Sequence, residues 1–164
     1  MSTPSALRDP ANLVSPRAIW YWTTRALIFW LAAAAVFVLC WLGNPHARTQ
    51  LAVAGAILLA VALLHLGVMP RWRFRVHRWE ATETAVYTRS GWFNQQRRIA
   101  PLSRIQTVDT DRGPLEQLFR LANVTVTTAS AAGPVRIRGL DPADADRLVA
   151  ELTRITAETS GDAT

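Results

Sequence analysis

The chain has 164 residues, half of them apolar and 18 % charged, with a formal net charge of +6 and one cysteine. That length holds one ordinary domain plus an appendage, and a lone cysteine excludes an internal disulfide or a thiolate metal cluster. Basic charge alone fits a nucleic-acid binder, but here it crowds beside apolar runs rather than across a soluble face, so nucleic acid is not the expected partner.

Residues 1–16 are polar and contain proline, which argues against a cleavable signal peptide, and residues 1–18 read as a cytoplasmic N-terminal tail. Residues 19–70 read as a two-helix transmembrane hairpin. The run 26–42 carries no charge and, at about 1.5 Å per residue, spans roughly 25 Å, with Ile19–Trp22 available to extend it. Trp20, Tyr21, Trp22 and Trp41 fall where interfacial aromatic belts belong. Gly43-Asn44-Pro45 turns the chain, the loop occupies 43–50, and the uncharged run 51–70 has the length of a second crossing. Arg8, Arg17, Arg25, Arg71, Arg73, Arg75 and Arg78 flank the hairpin, whereas the loop holds only Arg48. The positive-inside rule therefore places both termini in the cytoplasm and the loop outside, in a multi-pass protein of the plasma membrane. His65 admits two readings, a proton-relay or ligand group and an interfacial histidine bonded to a neighbour. The small residues Ala32–Ala35, Ala52, Gly55, Ala56 and Ala60 suit close helix packing.

Residues 71–156 read as one cytoplasmic domain. Trp72, Phe74 and Val76 alternate with Arg73, Arg75 and His77, which predicts a strand. Thr84–Arg89 and Trp92–Ile99 predict a hairpin turning at Ser90-Gly91, and Arg104–Thr110 predicts a further strand. Gly113-Pro114 opens a short helix whose apolar face is Leu115, Leu118, Phe119 and Leu121. Val124 and Val126, then Val135 and Ile137 after the turn Ala131–Pro134, predict another hairpin. Asp141-Pro142 starts a closing helix with Ala145, Leu148, Val149, Leu152 and Ile155 on one face. Residues 157–164 read as a disordered tail.

Several antiparallel strands followed by a capping helix resemble a pleckstrin-homology-like barrel or sandwich. The runs Arg89-Ser90-Gly91, Arg97–Asp109, Gly113-Pro114-Leu115 with Leu118 and Leu121, and Ile137–Leu140 are similar to those of the bacterial pleckstrin-homology (PH) domain of YdbS-like membrane proteins. The resemblance covers about residues 20–155 and includes two transmembrane helices directly before the domain. It implies a PH-like fold in a membrane-bound, non-enzymatic protein, and it brings no catalytic or cofactor residues.

No Gly-rich phosphate loop, HExxH pair, GxSxG elbow or CxxC motif is present. Glu80 and Glu83 read as a solvated turn rather than an acid–base pair, which needs an apolar pocket to split its pKa values. An enzyme, a cofactor and a metal are therefore not expected. The favoured reading is a membrane-anchored interaction or scaffold module, or an accessory subunit of an envelope complex, with a protein partner in the membrane or at its cytoplasmic face. The alternative is recognition of anionic lipid headgroups in the bilayer by Arg71, Arg73, Arg75, Arg78, Arg97 and Arg98. What separates the two is whether Arg97 and Arg98 converge with the arginines that follow the second span.

Overall fold

The two apolar runs are helices, α1 (Arg17–Gly43) and α2 (Arg48–Val76), joined through Asn44 and a 3-10 turn at Pro45–Ala47. At about 1.5 Å per residue they measure roughly 40 and 43 Å, longer than the ~30 Å hydrocarbon core of a bilayer. Only 6 % of the apolar window of each is buried. A core helix of a soluble protein would be covered by its own domain; these two present their apolar faces outward. They pack on each other, with the Phe37 ring over Gly55 and the Trp30 indole donating to His65 Nδ1 at 3.0 Å.

The computed structural model describes residues 9–130 and 133–161. Arg8, Ala131 and Ala132 of the predicted turn, and residues 162–164 of the predicted tail lie outside the described residues.

Of the segment Trp72–His77, expected as a strand, Trp72–Val76 is the last part of α2 and His77 caps it. Pro70 lacks the N–H for its helical bond, yet the helix runs through it to Val76. The buried positions Met69, Pro70, Val76 and His77, with half-buried Arg73 and Phe74 between them, recur every three or four residues. That spacing fits a helix packed on a neighbour. A six-residue window satisfies both periods, and the packing decides.

The domain is a sandwich of two antiparallel sheets rather than a closed barrel. One sheet has the order β1 (Asn12–Leu13), β2 (Arg78–Ala81), β3 (Ala85–Ser90), β4 (Gln96–Pro101), and the other β5 (Ile105–Asp111), β6 (Ala122–Thr128), β7 (Val135–Leu140). A short helix α3 (Pro114–Leu118) follows β5, and α4 (Pro142–Gly161) closes the chain. Three expectations change. Asn12–Leu13 of the N-terminal segment pairs with Arg78 and Trp79 as an edge strand. Trp92–Gln95, expected in a strand, form a loop, because Gly91 at φ +105° turns so tightly that a Cβ there would lie 2.0 Å from the Asn94 carbonyl oxygen. The helix α4 continues to Gly161, past the predicted start of the tail.

One core joins hairpin and domain. Leu148 and Leu152 of α4 are buried with Val124 and Val126 of β6, Ile137 of β7 and Val86 of β3. Ala18, Tyr21 and Trp22, from the first two turns of α1, belong to the same core. The Ser15 N–H donates to the Gly139 carbonyl at 2.8 Å, and Gly139 stands at φ +79°, where an added Cβ would lie 3.0 Å from that of Ala18. The start of α1 and the end of α2 are thus built into the domain.

Candidate functional site: an arginine-lined cleft between hairpin and sandwich

Where α1 and α2 meet the sandwich, two adjoining cavities of about 500 and 450 Å³ share the side chains of Arg73, Arg136 and Arg138. The first lies between the end of α2 (Arg73, His77), strands β3 and β4 (Thr88, Ser90, Gln96, Arg98) and β7. The second lies between the start of α1 (Tyr21, Trp22, Arg25), α3 and β6. Strand alternation supplies its floor: Val135 and Ile137 of β7 enter the core, so Arg136 and Arg138 point the other way, toward the helices.

Five arginines line the two cavities, against Asp111 and Glu116. Both carboxylates already accept hydrogen bonds. Glu116 Oε1 takes the Tyr21 hydroxyl at 2.7 Å, and Asp111 Oδ2 takes the Asn123 amide at 3.0 Å. Burial works to raise the pKa of Glu116, but the Tyr21 hydroxyl and other donors outweigh it and hold the group below its usual value, so it stays ionised. Arg25 donates to the Tyr21 hydroxyl at 2.9 Å, and Arg98 donates to the Pro134 carbonyl at 3.0 Å. Arg73 lies over the Trp22 ring at 4.6 Å, a cation–π contact, while its buried Nε has no hydrogen-bond partner. Among the described residues, none of the ion pairs involves Arg73, Arg136 or Arg138.

His77 closes one wall. Its Nδ1 lies 2.9 Å from the Arg73 carbonyl oxygen, which can only accept, so Nδ1 carries the proton. Burial first, then the nearby Arg73 and Arg138 charges, push its pKa down to about 4. The imidazole is therefore neutral at physiological pH. The cleft is a concave, cationic surface whose guanidinium groups exceed the carboxylates available to them, an arrangement suited to a bidentate oxyanion such as a phosphate.

The structure brings together two of the six predicted arginines, Arg73 and Arg98. Arg97 points to the opposite face of β4 and pairs at 2.9 Å with Asp9, which also holds Arg89. Arg71 is exposed and bonds the Gly67 carbonyl, Arg75 is exposed, and Arg78 reaches toward the Pro10 carbonyl. Arg25, Arg136 and Arg138 were not anticipated. The Val-Arg-Ile-Arg alternation of 135–138 signals that both arginines share a face, but only the docking of α1 and α2 shows what that face meets. Glu80 accepts the Ala11 N–H on the outer edge. His65 lies in the hairpin beside Trp30. Among the described residues no cluster of three or more His, Cys, Asp or Glu could hold a metal ion.

A hairpin of spanning length built into an antiparallel sandwich with a closing helix defines a membrane-bound PH-like protein, and the chain belongs to the bacterial PH domain family, whose model matches residues 26–156. It is similar to the UPF0699 transmembrane protein YdbS of Bacillus subtilis (strain 168), with 32 % identity over 159 residues, 94 % of this chain and 98 % of that one. No solved structure matches it.

Proposed function

We propose that this protein is a multi-pass plasma-membrane protein with both termini in the cytoplasm, and that its PH-like domain recognises an anionic, phosphate-bearing lipid headgroup in the arginine-lined cleft. The observation that carries this reading is the convergence of Arg73, Arg136 and Arg138, from the end of α2 and from β7, on the first cavity, whose lining holds no carboxylate. Orientation is supported by the arginine asymmetry, since seven arginines flank the hairpin and Arg48 alone stands at its loop. With the domain at the cytoplasmic leaflet, the cleft opens beside anionic headgroups.

The test is binding of short-chain phosphatidylglycerol, with phosphatidylcholine as the neutral comparison, to the full chain in detergent. Each charge-assisted hydrogen bond lost costs about 1.5–3 kcal/mol, so Arg136→Gln/Arg138→Gln should weaken phosphatidylglycerol binding at least about tenfold. Arg71→Gln, outside the cleft, should leave it unchanged. Equal binding by the double variant and the native chain would overturn the proposal.

A second reading, docking of a membrane partner by strand addition, is favoured by the edge of β4. Among the described residues this strand pairs on one side only, and Ile99 on it is 49 % exposed. A stoichiometric partner that survives the cleft variant and is lost when proline replaces an outward N–H of β4 would support it.

A further inference from the structure

The loop between β3 and β4 carries two aromatic side chains that the domain does not cover. Phe93 is 90 % exposed and Trp92 is 45 % exposed. From Ser90 to Gln96 the chain holds no charge. Solvent is a poor environment for such a tip, and an exposed aromatic patch marks a contact surface.

What the patch contacts follows from its depth. The Trp92 ring lies 5.9 Å from the ring of His65, and its carbonyl accepts the Trp72 indole N–H at 3.0 Å. His65 stands five residues before Pro70, so at 1.5 Å per residue it sits about 7 Å inside the end of the second apolar run. It is bonded across the hairpin to Trp30 of α1. The loop therefore reaches down the flank of α2, beside the point where that helix is bonded to α1, and its aromatic surface continues the exposed apolar surface of the hairpin. Tryptophan and its neighbours at this level match the interfacial belt of a membrane protein, where amphipathic rings are stable.

We infer that the Trp92–Phe93 loop is embedded in the cytoplasmic leaflet as a third membrane contact, alongside the two spanning helices. The inference rests on the hairpin crossing the bilayer as proposed above. It also specifies the ligand of the cleft. Gly91 and Asn94 of the same loop line the first cavity beside Arg73 and Arg98, so an embedded loop holds that cavity at headgroup depth. The occupant is then an intact lipid of the leaflet, with its phosphate among the arginines and its chains beside Trp92 and Phe93, rather than a soluble phosphate from the cytosol.

The test is accessibility of spin labels on the full chain in phosphatidylglycerol–phosphatidylcholine vesicles, with Cys40→Ser as background. A label at Phe93→Cys should collide with oxygen more than with an aqueous nickel chelate, as at Leu31→Cys on the lipid face of α1, and unlike Glu83→Cys on an exposed turn. Nickel contact at 93 equal to that at 83, with 31 embedded, overturns the loop inference alone; nickel contact at 31 overturns the hairpin reading as well. A second measurement leaves the loop native. Photoactivation of a phosphatidylcholine bearing a diazirine in its acyl chain should modify the peptide around Trp92 and Phe93, and absence of modification there beside labelled α1 overturns the inference. Inorganic phosphate competing for the cleft as well as phosphatidylglycerol vesicles do would overturn the lipid assignment.

Discussion

His77 shows how a single side chain couples the cleft to stability. Its pKa in the fold, about 4, lies below the unfolded value of 6.5. The unfolded chain therefore takes up the proton first, and stability is constant above about pH 6.5 and falls as the pH drops toward 4. At about 1.4 kcal/mol per unit, roughly 2 kcal/mol is lost between pH 6.5 and 5. Thermal unfolding of the detergent-solubilised protein at pH 7 and 5 checks this, and His77→Gln should flatten the difference. Neither the burial of His77 nor the company of Arg73 is visible in the sequence, where both residues sit in a segment that alternates like a strand. The same holds for Arg97 and Arg98. Period-two alternation places them on opposite faces, but which one meets the helices depends on how the sheet docks. The cleft was thus half legible, through Arg73 and Arg98, while Arg25, Arg136 and Arg138 needed contacts between distant segments.

Among the elements, the junction of α1 with β7 carries the alignment of hairpin and sandwich. Gly139 allows the helix to approach through its positive φ and its missing side chain. Gly139→Ala should lower stability by about 1–3 kcal/mol through backbone strain and crowding of Ala18. Faster proteolysis near Ser15–Arg17 and a lower melting temperature would both report it. Elements with a long, unbroken apolar pattern or a clear cap were legible: the two spanning helices, α4 behind Asp141, α3 behind Gly113-Pro114, and the valine-alternating β6 and β7. Short segments were not, because two forces compete there. At Trp72–Val76 the contacts of α2 with Trp22 outweigh the alternating pattern. At Trp92–Gln95 the turn at Gly91, the ring contact of Trp92 with His65 and the Trp72 hydrogen bond to the Trp92 carbonyl hold the chain away from β3. Asn12–Leu13 is too short for any pattern, and it becomes a strand only because β2 offers an edge.

At the scale of the molecule, the arrangement makes one topological prediction. Green fluorescent protein fused after Thr164 should fluoresce, alkaline phosphatase fused there should be inactive, and phosphatase inserted at His46–Arg48 should be active. The opposite pattern would put the cleft on the outer surface. The architecture also sets an order of assembly. Arg17 pairs with Asp141, 124 residues later, and Tyr21 bonds Glu116, 95 residues later. Translation at about 5–20 residues per second leaves the start of α1 waiting on the order of ten seconds for these partners. During that time the hairpin is made, while Ala18, Tyr21 and Trp22 have no core to enter. Strand β7, which supplies Arg136, Arg138 and Gly139, is the last strand made, so the cleft is completed at the end of synthesis. A chain cut short before residue 135 would lack β7 and α4 and leave Ala18, Tyr21 and Trp22 of α1 without the core they enter, a marker by which quality control can tell unfinished copies from finished ones.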